Sequence, residues 1–244
     1  ALLWANHEYT NPELMFPGYT PGKPTKEQVD VELAAHGGSV VEVIRNADGS
    51  VEYLPVSQFN RRVTALTPME LTGPAAGHPW LQTKADPTGR RVLGMLNNCA
   101  GGTTPWGTVL SAEENFNQYF AFNDGVGNET VKKIHARYGL PAKDSGRRWK
   151  AFYERFDLTK EPNEPFRHGW IVEIDPYDPT FTPKKRTALG RFKHEGAETS
   201  LAADGRVVAY MGDDERFDYM YKFVSKGRFN PSDRAANLSL LDEG

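Results

Sequence analysis

GAETSLAADGRVVAYMGDDE, residues 196–215, pairs in pattern with AGGTTPWGTVLSAEEN, residues 100–115, when Asp204-Gly205 is set against Trp106-Gly107. Each stretch passes from small residues through a short strand and a glycine-containing turn into an apolar strand, and each ends in acids. In an antiparallel pair, the residues before the first strand and those after the second lie at the same edge. The pattern therefore predicts Cys99 near Glu113 and Glu114, and His194, Glu195 and Glu198 near Asp213 and Asp214. The opening LLWANHEYTN, residues 2–11, fits the second half of the same unit: an apolar strand ending in Asn6-His7-Glu8, with its first half absent.

A repeated hairpin with acids at one edge reads as blades around an axis, so the expected fold is all-β, a β-propeller. The remaining chain agrees, since most segments alternate or run apolar for a few residues between Gly, Pro, Asn and Asp clusters. Strands are predicted at 2–5, 40–45, 51–55, 91–96, 108–112, 170–175, 186–192, 206–211 and 219–224. Asp48-Gly49 and Asp204-Gly205 supply the positive φ of tight hairpins. Ordinary blades repeat at about 40 to 50 residues, so this chain supplies about three to five and the ring does not close within it. One domain, 1–244, is expected, interrupted at 123–165 by a helical insertion. There, Glu129 to Tyr138 carries helix formers, Gly139 and Pro141 supply a stop, and Arg147, Arg148 and Lys150 read as a solvated basic face.

Composition narrows the function. Twenty-nine Lys plus Arg against 32 Asp plus Glu gives a net charge of -3, which is not the footprint of a nucleic-acid binder. No apolar run approaches the roughly 20 residues of a membrane helix. The single cysteine, Cys99, excludes an internal disulfide. There is no phosphate loop and no Gly-x-Ser-x-Gly elbow, which removes Walker-type and serine-hydrolase chemistry.

Glu8, Cys99, Glu113, Glu114, His194, Glu195, Glu198, Asp213, Asp214 and Glu215 collect at one edge in this reading. So many carboxylates together repel one another unless cations neutralise them. Hard oxygen donors suit calcium, while the thiolate of Cys99 suits iron or zinc, so a mixed metal site is expected. Singly, each acid reads as a solvated turn residue and Cys99 as a small buried hydrophobe. As a repeated set they read as ligands. His7 and His194 serve equally as orienting or loop residues, and His36, His78, His135 and His168 have no partner that spacing reveals.

ANHEYTNPELMFPG, LNNCAGGTTPWGTVLSAEENFNQYF, GWIVEIDP, FKHEGAE and VAYMGDDERFDYMYKFVS together resemble the PhoX family of bacterial alkaline phosphatases over nearly the whole chain. The resemblance implies a six-bladed propeller, exported to the periplasm or secreted, that hydrolyses small-molecule phosphate esters with iron and calcium ions at its axis. It implies a cysteine iron ligand at Cys99 and metal-binding acids at Glu8, Glu113, Glu114, Glu195 and Glu198; Asp213 and Asp214 complete the expected metal set. An Arg-Pro-Glu segment, expected to bring a phosphate-contacting arginine, has no match here, so the chain reads as the front of a longer protein whose other blades come from elsewhere. Two alternatives remain open: a calcium-only propeller hydrolase, phytase-like or lactonase-like, and a non-enzymatic, calcium-stabilised binding module.

Overall fold

A computed structural model describes residues 1–121, 129–140 and 145–244. The start of the expected insertion at 123 and its Pro141 stop lie outside the described residues. The chain is mostly β-sheet with few helices. The first sheet holds β1 (Leu2–His7), β2 (Gly37–Arg45), β3 (Val51–Tyr53) and β4 (Arg61–Val63), in the order β1-β2-β3 with β4 also on β2. The second holds β5 (Pro68–Thr72), β6 (Arg91–Leu93), β7 (Asn98–Thr103), β8 (Val109–Glu113), β9 (Ile171–Ile174) and β10 (Lys184–Arg186). Its order is β6-β5-β10-β9-β8-β7, antiparallel except where β10 lies parallel to β5. The third is β11 (His194–Leu201), β12 (Arg206–Asp213) and β13 (Met220–Arg228), in sequence order. The helices are α1 (Pro12–Met15), α2 (Lys26–Ala35), α3 (Glu129–Arg137) and α4 (Arg234–Asn237). Three successive sheets of this kind are consistent with a propeller-like fold.

The internal repeat is present in three dimensions. Gly107 (φ 84) and Gly205 (φ 83) turn the β7–β8 and β11–β12 hairpins. Asn98 lies opposite Glu113 and His194 opposite Asp213, and in both ladders the register shifts just beyond that pair. The small residues Ala100, Gly101 and Gly102 lie within β7 and not before it. The cause is close approach: a Cβ on Gly102 would lie 2.1 Å from Ala197 O on β11, so only glycine lets β7 and β11 pack together.

Two other expectations are corrected. The strand expected at 186–192 ends at Arg186 and becomes a 3-10 turn at Thr187–Leu189. Arg186 is fully buried with Nε 2.7 Å from Glu173 Oε2, Thr187 Oγ1 donates to Thr72 O at 2.6 Å, and Gly190 (φ 84) turns the chain away. Nor does Arg147 belong to a solvated face. Its side chain is 13% exposed and pairs with buried Glu32 at 3.0 Å.

The sequence reading contained no helix at 26–35, yet α2 anchors that pairing. Thr25 and Gln28 close a reciprocal capping box at its start, and Val29, Glu32 and Leu33 face inward. Beneath it pack Phe116, Tyr119, Phe120, Trp149 and Phe156. His36 follows α2 with no exposure; its Nε2 lies 2.8 Å from Tyr119 Oη and its Nδ1 2.7 Å from Glu32 O. Burial, helped by Arg147, lowers the His36 pKa to about 3.

An unfolded imidazole titrates near pH 6.5, so this histidine is neutral folded and protonated unfolded across the acid range. Its effect on stability is absent above about pH 6.5 and becomes destabilising as pH falls toward about 3, by up to ~1.4 kcal/mol per unit. Urea unfolding at about pH 7 and about pH 5 should show this loss, and His36→Gln should flatten the slope; an unchanged slope contradicts the assignment.

Candidate metal centre

The end of β8 decides where the acids go. Successive strand residues point to opposite faces, so Glu113 and Glu114 part company. Glu113 enters the core with no exposure. Its Oε1 lies 2.8 Å from Lys185 Nζ, 3.0 Å from His168 Nδ1 and 3.0 Å from the Leu96 N–H. Its Oε2 accepts from the N–H groups of Gly169 at 3.0 Å and Trp170 at 3.2 Å. Burial pushes the Glu113 carboxyl up, but Lys185 and His168 outweigh it and hold the pKa at about 2.

Glu114 instead joins the rim. Ligand atoms of Glu8, Cys99 and Glu114 lie within 4.8 Å of one another, and so do those of Glu114, Glu195 and Asp214. The two groups share Glu114, and Cys99 Sγ lies 3.6 Å from Glu195 Oε1. Burial, then Glu195, Asp214 and Glu8, raise the Glu114 pKa to about 7. Burial, then Glu8, Glu195 and Glu114, push the Cys99 thiol up to about 12. Glu8 is raised by burial and by Glu195. Among the described residues, no Lys or Arg side chain pairs with Glu8, Glu114, Glu195 or Asp214.

Asparagines, absent from the sequence reading of the site, hold the cluster. Asn97 adopts φ 50, a left-handed conformation that asparagine tolerates. Its carbonyl accepts the Glu114 N–H at 2.9 Å, and its Oδ1 accepts the Asn115 N–H at 2.9 Å. Asn6 Nδ2 donates to Cys99 O at 2.6 Å, while Asn6 Oδ1 accepts from Ser111 Oγ at 2.7 Å and Asn98 Nδ2 at 2.9 Å. The signal was the Asn6 and Asn97-Asn98 amides flanking Glu8 and Cys99, but nothing in spacing says that they bond across 93 residues.

Three expected ligands are not brought together with the rest. Glu113 is committed to Lys185. Asp213 turns to α3, where its Oδ2 lies 3.1 Å from Arg137 and its Oδ1 accepts the Glu215 N–H at 3.0 Å. Glu198 lies further along β11, opposite Tyr210 and against Gly102, and is in neither group. His194 pairs in register with Asp213, but its ring is buried and its Nε2 lies 3.0 Å from Gly190 O.

The model of the family described as Alkaline phosphatase PhoX matches residues 1–244. The chain belongs to the PhoX family. Among solved structures it is similar to Pseudomonas fluorescens PhoX in complex with vanadate, a transition state analogue, with 46% identity and a TM-score of 0.93. The match covers 100% of this chain and 41% of that one, so the chain spans less than half the length of that PhoX. No curated protein matches it. No helix among the described residues is long and apolar enough to cross a membrane.

The rim of this PhoX-family chain fits metal ions by its donor chemistry: four carboxylates and one thiol converge, and burial together with neighbouring carboxylates raises the pKa of Glu8, Cys99 and Glu114. Glu113 and Glu114 should therefore respond oppositely to substitution. Glu113→Ala strands Lys185 in the core and should cost about 3–5 kcal/mol. Glu114→Gln relieves repulsion and should leave metal-free stability unchanged or higher. Thermal unfolding in a chelator separates these outcomes, and equal losses would refute the division of roles.

Proposed function

We propose that this chain forms part of a metal-dependent phosphomonoester hydrolase, an alkaline phosphatase that releases inorganic phosphate from small-molecule phosphate esters. The observation that carries the reading is Glu114, shared between a group containing the Cys99 thiol and a group of carboxylates alone. The first group suits iron and the second calcium. Membership of PhoX, and the vanadate complex of the similar Pseudomonas fluorescens protein, support phosphoryl chemistry. The same membership supports a six-bladed propeller and a periplasmic or secreted location.

Glu8, Cys99, Glu114, Glu195 and Asp214 are the proposed ligands. When bound, the ions would neutralise phosphate oxygens and supply an activated oxygen nucleophile. To hold a cation, Cys99 Sγ and the Glu114 carboxyl would have to be deprotonated. Asn6 fixes the Cys99 backbone from the neighbouring sheet, and Asn97 fixes Glu114 through its N–H. The protein's part is thus to hold charge in place, without a side-chain nucleophile.

Elemental analysis of the full-length protein should find both iron and calcium, and a strong chelator should abolish hydrolysis of a phosphate ester. Cys99→Ser should lose iron while retaining calcium. Absence of iron from the wild-type protein, with an unchanged rate in that variant, would favour calcium-only chemistry instead. Asn6→Leu should weaken metal binding by about 10–100-fold, the usual effect of removing a group that orients a ligand.

A further inference from the structure

Beside Glu8 the rim opens into a cavity of about 310 Å³ whose lining is polar or charged throughout. A second, of about 400 Å³, continues past Asn11, Gln118 and Arg147 toward Glu13 and Tyr19. Sites for apolar ligands are lined mainly by hydrophobic side chains, so this one suits a hydrophilic group.

Its electrostatics narrow the choice. Arg147, the cation in the lining, lies 3.0 Å from Glu32 Oε1, and its Nη1 also donates to Thr10 Oγ1 at 2.8 Å. Its charge is thereby neutralised, while Glu8 and Glu13 add negative charge at the two ends. Among the described residues of the lining, no unpaired cation is left to attract an anionic group. What remains is neutral hydrogen-bonding capacity: Gln118, whose Oε1 accepts from Arg147 Nε at 3.2 Å, and Asn11 both line the cavity with side-chain amides. The Asn11 side chain makes no capping bond to α1, and Tyr9 is 54% exposed, its ring a platform for the apolar face of a sugar.

We propose that this cavity receives the alcohol half of the phosphate ester and favours neutral polyhydroxylated alcohols, sugars or polyols, over flat aromatic ones. The inference rests on the phosphatase reading above. The cavity adjoins Glu8, one of the proposed ligands, so the alcohol of an ester held at the rim would extend toward Gln118 and Asn11, which line it. In hydrolysis the bond from phosphorus to that oxygen breaks, water supplies the new oxygen on phosphorus, and a proton from water passes to the departing alcohol. Hydroxyls of that alcohol would be held by the amides of Asn11 and Gln118.

The test uses the metal-loaded full-length protein with glycerol 2-phosphate and p-nitrophenyl phosphate. Gln118→Leu should lower the ratio of kcat/KM for the polyol ester to that for the aryl ester by about 10-fold, because a polar contact to substrate is lost. Asn11→Leu, in an exposed loop that tolerates substitution, should move it the same way. An unmoved ratio, or equal losses on both esters, overturns the inference. If wild type hydrolyses neither ester, the phosphatase reading fails by itself. Saturation-transfer NMR with inositol then decides the cavity: a signal that Gln118→Leu weakens supports it, and no signal overturns it.

Discussion

The buried pair of Glu113 and Lys185 governs the site without belonging to it. Five donors converge on one carboxylate, drawn from β8's two neighbours and the strand beyond them: Leu96 before β7, His168, Gly169 and Trp170 before β9, and Lys185 on β10. Lys185 in turn donates to Arg167 O at 3.0 Å. A buried carboxylate is tolerable only when its lone pairs are satisfied in this way. Because the arrangement fixes the end of β8, the next residue must emerge on the opposite face, and Glu114 arrives at the rim. A core ion pair thereby sets the position of a carboxylate that faces solvent chemistry.

The rim itself is strained electrostatically. Its carboxylates and thiol are held together by the fold, through the β7–β11 contact, the Asn6 and Asn98 amides and the hairpin registers, against their mutual repulsion. Thus folding stabilises an arrangement whose own charges oppose it, and a bound cation would convert that opposition into affinity. The inside of the same wall, near α2, does the reverse. There Glu32 meets Arg147, the Trp149 indole N–H at 3.1 Å and Thr10 Oγ1 at 2.6 Å, and its charge is balanced locally. One acid is satisfied by protein groups, whereas the rim acids pair with no Lys or Arg among the described residues.

Repetition explains why these features coincide. The two hairpins carry the same opposed pair at their bases, Asn98 with Glu113 and His194 with Asp213, followed by the same slip in register. Yet the pairs have diverged: Glu113 went to a buried lysine and Asp213 to Arg137 on α3. In both hairpins the acid one residue later, Glu114 or Asp214, remains at the rim. The repeat thus yields one structural acid and one available acid per hairpin.

What the sequence alone determined was local and periodic. The two repeated hairpins with their Asp-Gly and Trp-Gly turns, and the edge to which Cys99, Glu114, Glu195 and Asp214 belong, follow from alternation and antiparallel geometry, and the helix at Glu129–Arg137 from its helix formers, whereas β4 and β5 were not foreseen. The capping box at Thr25 and Gln28 was legible too, though α2 was not inferred, because its apolar positions form no clear stripe. What only the tertiary structure decided was which of two adjacent acids a distant lysine would claim, and which glycines marked close packing between sheets. Lys185 lies 72 residues from Glu113, and the backbone that Gly102 must clear belongs to β11. Partners so far apart in the chain leave no mark in local spacing, because burial and ion pairing are settled when the sheets pack together.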